Sequence, residues 1–469
     1  MERRASRTSE LSALVRLAAP LAFAQVGQMA MGFVDVAIVG RLGAVPLAAV
    51  GVGNGIFFTI AFVGVGVMLG LDPLIAQAVG AKEEIRARRL LWQGMWLALA
   101  AGALLSLPIA ALTSGLEVFG VPSDVARETT AYTLVRLPSM VPLLAYTGVR
   151  SYLQAHRHTL VLVVAVVAAN IANFALDWVF VFGGSATPWA GRALAWIPSM
   201  GAAGAALATV FCSFLQLAVA AWGVRALRVS PLPSSIRKID RSEFRLAIRI
   251  GAPVGLQMGA EVSAFALAGL LAARIGAVAA AAHQIALTLA SATFCAAVGV
   301  ASAGAVRVGH AIGGGDGPRT RRAGMLAFAV GATWMALCAL GFLVWPRSLA
   351  SLLTDAPEIL AEAVPLLAVA AAFQISDGLQ AVGAGVLRGA GDTRFAFLAN
   401  LAGHYLVGLP IALVAGVLLG RGVIGLWYGL AAGLTAVALV LLVRFTRLSS
   451  RPIARIEAPS LRAAGPEQA

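Results

Sequence analysis

The stretch RLGAVPLAA at residues 41–49 decides the fold, because the chain contains it twice. Its second copy, RIGAVAAAA at residues 274–282, lies 233 residues later and shares six of the nine residues. With the same offset of 233, residues 20–92 align with residues 253–325 without a gap and with fifteen identities. The sequence therefore predicts an internal duplication, with one copy of the stretch in each half.

The composition is that of a membrane protein. The 469 residues are 60% hydrophobic and 12% charged, with a mean hydropathy of +0.88, whereas soluble domains carry a charged fraction of about 25%. Apolar runs of about 20 residues, long enough to cross a bilayer, recur along the chain. We predict an all-α integral membrane protein with twelve spans, at residues 13–39, 46–71, 90–112, 131–151, 160–182, 200–224, 246–272, 279–303, 323–345, 359–386, 395–417 and 423–444.

Each half of the duplication carries six of these spans. An even number returns the chain to its starting side, so both halves insert in the same direction and are related by a pseudo-two-fold axis along the membrane normal. Repeats of this kind build secondary transporters that bind their substrate between the halves. We predict four regions, namely an N-terminal lobe at 1–228, an inter-lobe linker at 229–244, a C-terminal lobe at 245–446 and a tail at 447–469.

The Lys and Arg residues behind the net charge of +14 are distributed unevenly along the chain, in a way that indicates the membrane topology. With the N-terminus inside, 28 of the 35 Lys and Arg fall in cytoplasmic segments, as the positive-inside rule requires. We expect a multi-pass protein of a bacterial-type inner membrane with both termini cytoplasmic. The first span has full length and no small-residue cleavage site, so we expect it to be retained. The basic loops favour contact with membrane lipids and not with nucleic acid.

Signatures of enzymes are missing from the sequence. The glycines of Gly313–Gly317 lack the GK[ST] end of a phosphate-binding loop, and no G-x-S-x-G elbow occurs. Cys212, Cys295 and Cys338 fall in predicted spans without disulfide or metal spacing. We expect no enzymatic activity and no cofactor besides a coupling ion.

Four carboxylic acids, Asp35, Asp177, Glu261 and Asp377, lie inside predicted spans. A carboxylate at membrane depth costs about 2.5–3.5 kcal/mol unless it is paired, protonated or in contact with water. Four such acids in one chain therefore indicate a function that requires them. Coupling to protons or cations in a transporter is the first interpretation.

Glu261 and Asp35 each extend a polar stripe along a helix face. Gln28, Gly32 and Asp35 share one face of span 1, and Gln257 lies one turn before Glu261 in span 7. Glu261 has no basic residue within a helical turn, which suits a group that gains and loses a proton. The alternatives are an Asp35 that reaches head-group water and a permanently protonated Glu261 in the core.

The other two acids also have amide neighbours. Asp377 lies between Gln374 and Gln380 in span 10, and Asp177 follows Asn173 by four residues in span 5. From the pattern alone, Asp377 is open between a functional role and a hydrogen bond between helices. Two interpretations of Asp177 stay open. It has a role in coupling, or its carboxyl group meets water at the outer end of its span.

The chain resembles multidrug and toxic compound extrusion (MATE) transporters of the NorM-like branch over roughly residues 10–445. This resemblance implies export of organic cations or amphipathic drugs in exchange for Na⁺ or H⁺. The segments that carry it are 41–43 with 47–49, AQAVGA at 76–81, Asn173 with 176–177, GAAGAALAT at 201–209, AAHQIAL at 281–287, 307–309 and LRGAGDT at 387–393.

The resemblance also implies roles for individual residues. In the NorM-like branch, acids at the places of Asp35, Glu261 and Asp377 take part in coupling, and Na⁺ binding is expected at Glu261 and Asp377. In a related branch, an Asn and an Asp spaced like Asn173 and Asp177 join the helix 1 acid in a proton-sensitive cluster. Because this chain carries both sets, the choice between Na⁺ and H⁺ stays open.

An acidic, aromatic cavity suits an amphipathic cation. Phe57 and Phe58 are among the aromatic residues that could stack on a flat cationic drug, although most such residues simply face lipid. A monomer is sufficient for this mechanism. The alternatives are a flippase for a lipid-linked or other endogenous metabolite, and a channel or structural membrane protein. The predicted cavity-lining residues are Gln28, Asn54, Gln257, Gln284, Gln374 and Tyr405.

Overall fold

The computed structural model describes residues 2–186, 194–227 and 233–457, with side chains from residue 10 onward except that of residue 234. The predicted linker at 229–244 and tail at 447–469 therefore lie partly outside the described residues. Helices make up nearly all of these ranges, and no strand occurs in them. The helices are α1 Glu2–Val39, α2 Ala44–Leu69, α3 Leu71–Gly80, α4 Glu84–Ser114, α5 Ser123–Arg136, α6 Met140–Ala155, α7 Leu160–Phe182, α8 Gly201–Ala226, α9 Arg241–Ile275, α10 Ala277–Gly313, α11 Gly317–Val344, α12 Pro346–Ala350, α13 Pro357–Gly389, α14 Thr393–Ala402, α15 Leu409–Ala412 and α16 Gly422–Leu448.

Eleven helical segments of the described chain are long and apolar enough to cross a membrane. The predicted fourth span, 131–151, falls on two helices, because α5 ends at Arg136 and α6 begins at Met140. A 3₁₀ turn at Leu137–Ser139 separates them. Pro138 in this turn has no backbone N–H to donate, which disfavours a continuous α-helix. The predicted span is therefore helical but is divided by this turn into two helices.

The repeated stretch RLG forms the turn between α1 and α2. Gly43 has φ of 118° at the position before α2, a conformation that glycine adopts at little cost and other residues rarely adopt. In the second copy, Gly276 occupies the same position before α10. The two copies therefore share their local structure, in which a glycine separates one helix from the next.

The predicted span at 395–417 is an irregular helix. Two π-helical segments, Gly403–Gly408 and Leu413–Leu418, flank the short helix α15. Pro410 lies between them and removes one backbone donor from the regular ladder. π-helical turns are rare and often occur at functional sites, and the first of these turns contains His404 and Tyr405.

The chain divides into two compact units. The C-terminal unit contains Met1–Gln25, Asp72–Glu83 and Arg249–Ala469, and the N-terminal unit contains Val26–Leu71 and Glu84–Ile248. Each unit therefore takes chain segments from both sequence halves. The lobe boundaries derived from the sequence stay a prediction.

The C-terminal unit is built around the packing of α13 on α10, α11 and α16. Glycines permit close approach here, because a Cβ at Gly385 would meet the carbonyl oxygen of Ala301 at 2.5 Å. Phe373 and Trp427 pack against each other in the core, with ring centroids 4.9 Å apart. Small residues at helix contacts are typical of membrane bundles.

The N-terminal unit is held by α7 on α8, α4 on α6 and α2 on α5. Gly204 of α8 lies against the backbone of Phe180, where a Cβ would meet the carbonyl oxygen at 2.5 Å. Large apolar side chains face outward, and Leu104, Leu107 and Leu160 are each about two-thirds exposed or more. Such extensive exposed apolar surface is expected of a protein that contacts lipid.

Candidate functional site

Asp35 is the acceptor at the centre of a polar cluster in the N-terminal unit. Asn173 Nδ2 donates to Asp35 Oδ1 at 2.9 Å, and Thr209 Oγ1 donates to Asp35 Oδ2 at 3.0 Å. Helices α1, α7 and α8 thus each supply one group. Asp35 is only 2% exposed, so the alternative of a carboxyl group that reaches head-group water was wrong.

Asp177 belongs to the same cluster but has no donor of its own. Its side chain is fully buried, and neither carboxyl oxygen has a hydrogen-bond partner in the described chain. Burial also rules out the alternative in which this acid meets water at the end of its span. The carboxyl group of Asp177 interacts electrostatically with Asp35 and Arg136. Two interacting carboxyl groups in a buried site are suited to share one proton or to bind a monovalent cation.

A buried arginine lies beside this pair. Arg136, at the end of α5, is only 4% exposed, and its Nη1 donates to Asn54 Oδ1 and to the hydroxyl oxygen of Tyr132. Its guanidinium lies 4.6 Å from the ring centre of Phe57 and 4.9 Å from that of Phe58. In the predicted topology, Arg136 is one of the seven arginines that fall outside the cytoplasmic segments. Its burial depends on α2 residues that are far away in the sequence, so only the Tyr132–Arg136 spacing of one helical turn hinted at it.

The C-terminal unit holds a second acid site. Glu261 Oε2 accepts from Gln380 Nε2 at 3.2 Å and from Asn400 Nδ2 at 3.4 Å. Asp377 is 5% exposed and interacts electrostatically with Glu261. One ring nitrogen of His404 lies 3.0 Å from the carbonyl oxygen of Asn400. The family resemblance implied Glu261 and Asp377, whereas the sequence contains no signal for Asn400 as a partner of Glu261.

Several amide oxygens near these acids are buried without a partner in the described chain, among them Gln380 Oε1, Asn400 Oδ1 and Gln374 Oε1. Carboxylate and carbonyl oxygens are the ligands that hard cations prefer. The described residues contain no group of three or more His, Cys, Asp or Glu that could hold a metal ion. The groups around Glu261 and Asp377 that could act as ligands are therefore carboxylate and amide oxygens.

Three of the predicted cavity-lining residues bind groups within their own unit. Gln28 Nε2 donates to Gln216 Oε1 at 3.1 Å, Gln374 donates to Thr293, and Asn54 is engaged by Arg136 as described above. Each of these amides thus has a structural partner, and their role in a substrate cavity stays a prediction.

The other predicted cavity-lining residues differ from one another. Gln257 is 7% exposed, whereas Gln284 is exposed and bonds within its own helix. Tyr405 donates to the carbonyl oxygen of Ala260 at 3.0 Å and, with His404, borders a cavity of about 20 Å³ in the C-terminal unit. This cavity is large enough for a water-sized molecule and not for a drug.

The sequence pattern of the MatE family matches residues 20–179 and 253–414. The chain belongs to the MatE family. The two matches begin 233 residues apart, which is the offset of the internal repeat. Members of this family are transporters, so the prediction that the chain is not an enzyme is confirmed.

Similar curated proteins agree over almost the whole chain. The chain is 33% identical over 444 residues to a protein named "Probable multidrug resistance protein NorM" of Rhizobium meliloti (strain 1021), with 93% of each chain covered. It is 35% identical over 450 residues to "Multidrug resistance protein NorM" of Burkholderia vietnamiensis, with 94% of each covered. The predicted membership of the NorM-like branch is confirmed.

Solved structures of MATE transporters share the fold. The eukaryotic MATE transporter AtDTX14 superposes with a TM-score of 0.82 at 22% identity, covering 94% of this chain and 96% of that one. A multidrug resistance MATE transporter of the MOP superfamily, described as outward-facing, has a TM-score of 0.84 at 19% identity and the same coverage. The prediction of an all-α, twelve-helix, two-lobe membrane fold is confirmed.

Proposed function

We propose that this MatE-family transporter is a multidrug efflux antiporter, which exports organic cations or amphipathic drugs in exchange for H⁺ or Na⁺ by alternating access. The names of its relatives confirm the multidrug part of the sequence prediction. The ion and the class of substrate are the proposed part. Inward movement of one charge supplies about 2.3 kcal/mol per 100 mV of membrane potential, which is the source of energy for export.

The observation that carries the proposal is the environment of Glu261. Its carboxyl group accepts two amide donors, from Gln380 and Asn400, in a half-buried part of the bundle. The amide oxygens of Gln380 and Asn400 are buried without a hydrogen-bond partner in the described chain, so they are available as further ligands of an ion. An intramembrane acid in a transporter that has no enzymatic role is by default a candidate for ion coupling.

The cluster around Asp35 supports a role for protons. Asp35 is held by Asn173 and Thr209, whereas Asp177 beside it has no donor. Proton binding to one member of such a pair removes the repulsion between the two carboxylates. We therefore propose that Asp35, Asn173 and Asp177 bind H⁺, while Glu261 and Asp377 bind Na⁺ or H⁺.

The remaining assignments follow from the topology derived from the sequence. We propose that the protein lies in a bacterial-type inner membrane, with both termini in the cytoplasm, and contacts anionic lipids through its basic loops. A monomer contains both acid sites and is sufficient for the mechanism. A flippase for lipid-linked metabolites is the alternative substrate class. It is less favoured because phosphate groups need several cations, whereas the buried acids Asp35 and Asp177 outnumber the buried Arg136 beside them, and Asp377 adds a third buried acid.

The test is efflux of a cationic dye from everted vesicles, with H⁺ and Na⁺ gradients imposed separately. We expect gradient-driven movement of ethidium by the wild type. Glu261→Gln is expected to reduce the initial rate at least about tenfold, because a missing ion ligand or proton acceptor removes the coupled step. The gradient that drives the dye identifies the ion.

The matched control is Glu358→Gln, which removes an exposed acid at the start of α13 and should leave the rate unchanged. If the wild type moved no dye under either gradient, drug export would be contradicted and lipid-linked substrates would be tested next. If Glu261→Gln transported like the wild type while Asp35→Asn did not, coupling would be assigned to the Asp35 cluster alone.

A further inference from the structure

We infer that Arg136 is a built-in counter-cation of the Asp35–Asp177 pair, so that it competes with a bound organic cation for the negative charge of this site. The inference rests on the proposed export of cations and goes beyond it, because it assigns a positioning residue that weakens cation binding. A transporter gains from such a residue, since a substrate bound too tightly is not released.

Arg136 is a buried cation whose hydrogen-bond partners are neutral groups. A buried guanidinium is costly unless a carboxylate or a full set of hydrogen bonds compensates for the loss of water. Within the described chain Arg136 forms no ion pair, its Nη1 reaches only the neutral groups of Asn54 and Tyr132, and its Nε has no partner. Its positive charge is therefore not neutralised by a salt bridge with a neighbouring residue of the described chain.

Tyr132 joins Arg136 to the acid pair, because its hydroxyl oxygen accepts from Arg136 Nη1. Tyr132 packs in one buried cluster with Ile38, Val181 and Ala205, each of which lies about one helical turn from Asp35, Asp177 or Thr209 along its own helix. The other titratable groups around the two acids are Tyr132 and Cys212. These groups come from α1, α5, α7 and α8, so the packing of the N-terminal unit brings one cation to two acids.

Three aromatic rings surround the guanidinium of Arg136. Phe57, Phe58 and Tyr132 place their ring centres 4.6, 4.9 and 5.7 Å from the central carbon of Arg136. Aromatic faces of this kind also bind organic cations. Arg136 thus occupies the position that the flat cationic part of a substrate would take, with the same interactions.

The experiment measures binding of ethidium to the purified full-length protein in nanodiscs at pH 8. Arg136→Gln keeps a hydrogen-bond donor but removes the charge. Loss of one nearby positive charge should tighten binding about three- to tenfold. Arg136→Lys should return the affinity to within about threefold of the wild type, since a cation is restored. Arg127→Gln is the matched control, because Arg127 is an exposed arginine of the same helix.

Asn54→Asp provides a second variant in case Arg136→Gln does not fold. The new carboxylate would accept from Arg136 in place of the present amide oxygen and consume its charge, so tighter ethidium binding is again expected. Unchanged or weaker binding in folded Arg136→Gln and Asn54→Asp, compared with Arg127→Gln, would overturn the inference.

A second measurement separates this inference from the proposed function. The infrared band of protonated carboxyl groups is followed against pH in the wild type, Arg136→Gln and Asp177→Asn. Removal of the cation should move the component that Asp177→Asn abolishes to higher pH, by about 0.5–1 unit. A wild type that binds no ethidium would contradict cation export, whereas this titration would still decide the role of Arg136. An unmoved component would overturn it.

Discussion

Arg86 and Glu243 form a buried ion pair in which the arginine comes from the first sequence half and the glutamate from the second. The Nε–Oε1 distance is 2.8 Å, and the side chains are 7% and 1% exposed. Their counterparts 233 residues away are Arg319 and Glu10, which are joined at the same distance of 2.8 Å. Each half thus gives an arginine to one pair and a glutamate to the other, a reciprocal exchange typical of two-fold symmetric contacts.

Glu243→Gln is expected to destabilise the protein strongly, because it leaves Arg86 buried beside a neutral amide. Removal of one partner from a buried pair costs about 3–5 kcal/mol. The measurement is thermal unfolding of the detergent-solubilised protein.

The control for this prediction is Asp240→Asn. Asp240 and Arg89 are 3.7 Å apart with about one-third of each side chain exposed, so loss of this pair should cost only about 0–1 kcal/mol. Asparagine can still accept the backbone hydrogen bond from Ser242 at the start of α9. Equal losses of stability in Glu243→Gln and Asp240→Asn would show that the buried pair of Arg86 and Glu243 contributes no more than the exposed pair.

The glycines Gly80 and Gly313 show the same reciprocity. A Cβ at Gly80 would meet the carbonyl oxygen of His310 at 2.3 Å, and one at Gly313 would meet that of Gln77 at 2.1 Å. The offset of 233 relates Gly80 to Gly313 and Gln77 to His310. The two copies of one sequence segment therefore pack on each other's backbone within the C-terminal unit.

Gly80→Ala should disrupt this packing, because the obstacle is backbone and cannot rotate away. Overpacking of this kind costs about 1–3 kcal/mol, so we expect a lower unfolding temperature and slower dye efflux. Gly317→Ala is the comparison, since nothing lies within 4 Å of its Cβ position. Wild-type efflux and stability in Gly80→Ala would show that the segment packs differently from the structure.

The sequence predicted the helices and the acids but not their partners. Membrane spans and buried carboxylates have a local signature, because each apolar run is continuous and each acid interrupts it. The donors to these acids have no such signature. Thr209 and Asn400 are ordinary polar residues, and their proximity to Asp35 and Glu261 depends on tertiary packing.

The sequence contains a weak signal for the ion pairs between its two halves, because the glutamates of both pairs are related by the repeat. Glu10 and Glu243 obey the offset of 233, yet they lie outside the gapless alignment of residues 20–92 with 253–325. One matched glutamate at the edge of an alignment carries little weight. The break at Leu137–Ser139 and the π-helical segments were missed for a related reason, since apolar periodicity does not report backbone hydrogen bonding.

Asn400→Ala should weaken ion binding at Glu261 while leaving the carboxyl group itself in place. Residues that orient a ligand typically contribute a factor of about 10–100 in ion affinity. We expect the ion concentration for half-maximal efflux to rise about tenfold in this variant. Gln284→Ala is the control, because Gln284 is exposed and bonds only within its own helix. Equal half-maximal concentrations in both variants would exclude Asn400 from the ion site.

The segment after α16 is anchored to the C-terminal unit by Gln77, which is 1% exposed. Its Nε2 donates to the carbonyl oxygen of Gly389 at 3.1 Å, and its Oε1 accepts from the backbone N–H of Ile456 at 2.8 Å. Arg455 also pairs with Glu83. One buried amide therefore joins three separate parts of the sequence.

Gln77→Ala should release this segment, because it leaves a buried carbonyl group and the Ile456 N–H without their partner. Loss of buried hydrogen bonds costs about 1–3 kcal/mol for each unsatisfied group, and we expect faster proteinase K cleavage within residues 453–457 together with a lower unfolding temperature. Glu83→Gln, which weakens the partly exposed ion pair with Arg455, should change either quantity little. If both variants were cleaved at the wild-type rate, the segment would be held by its apolar contact between Ile456 and Gly391 and not by the buried amide.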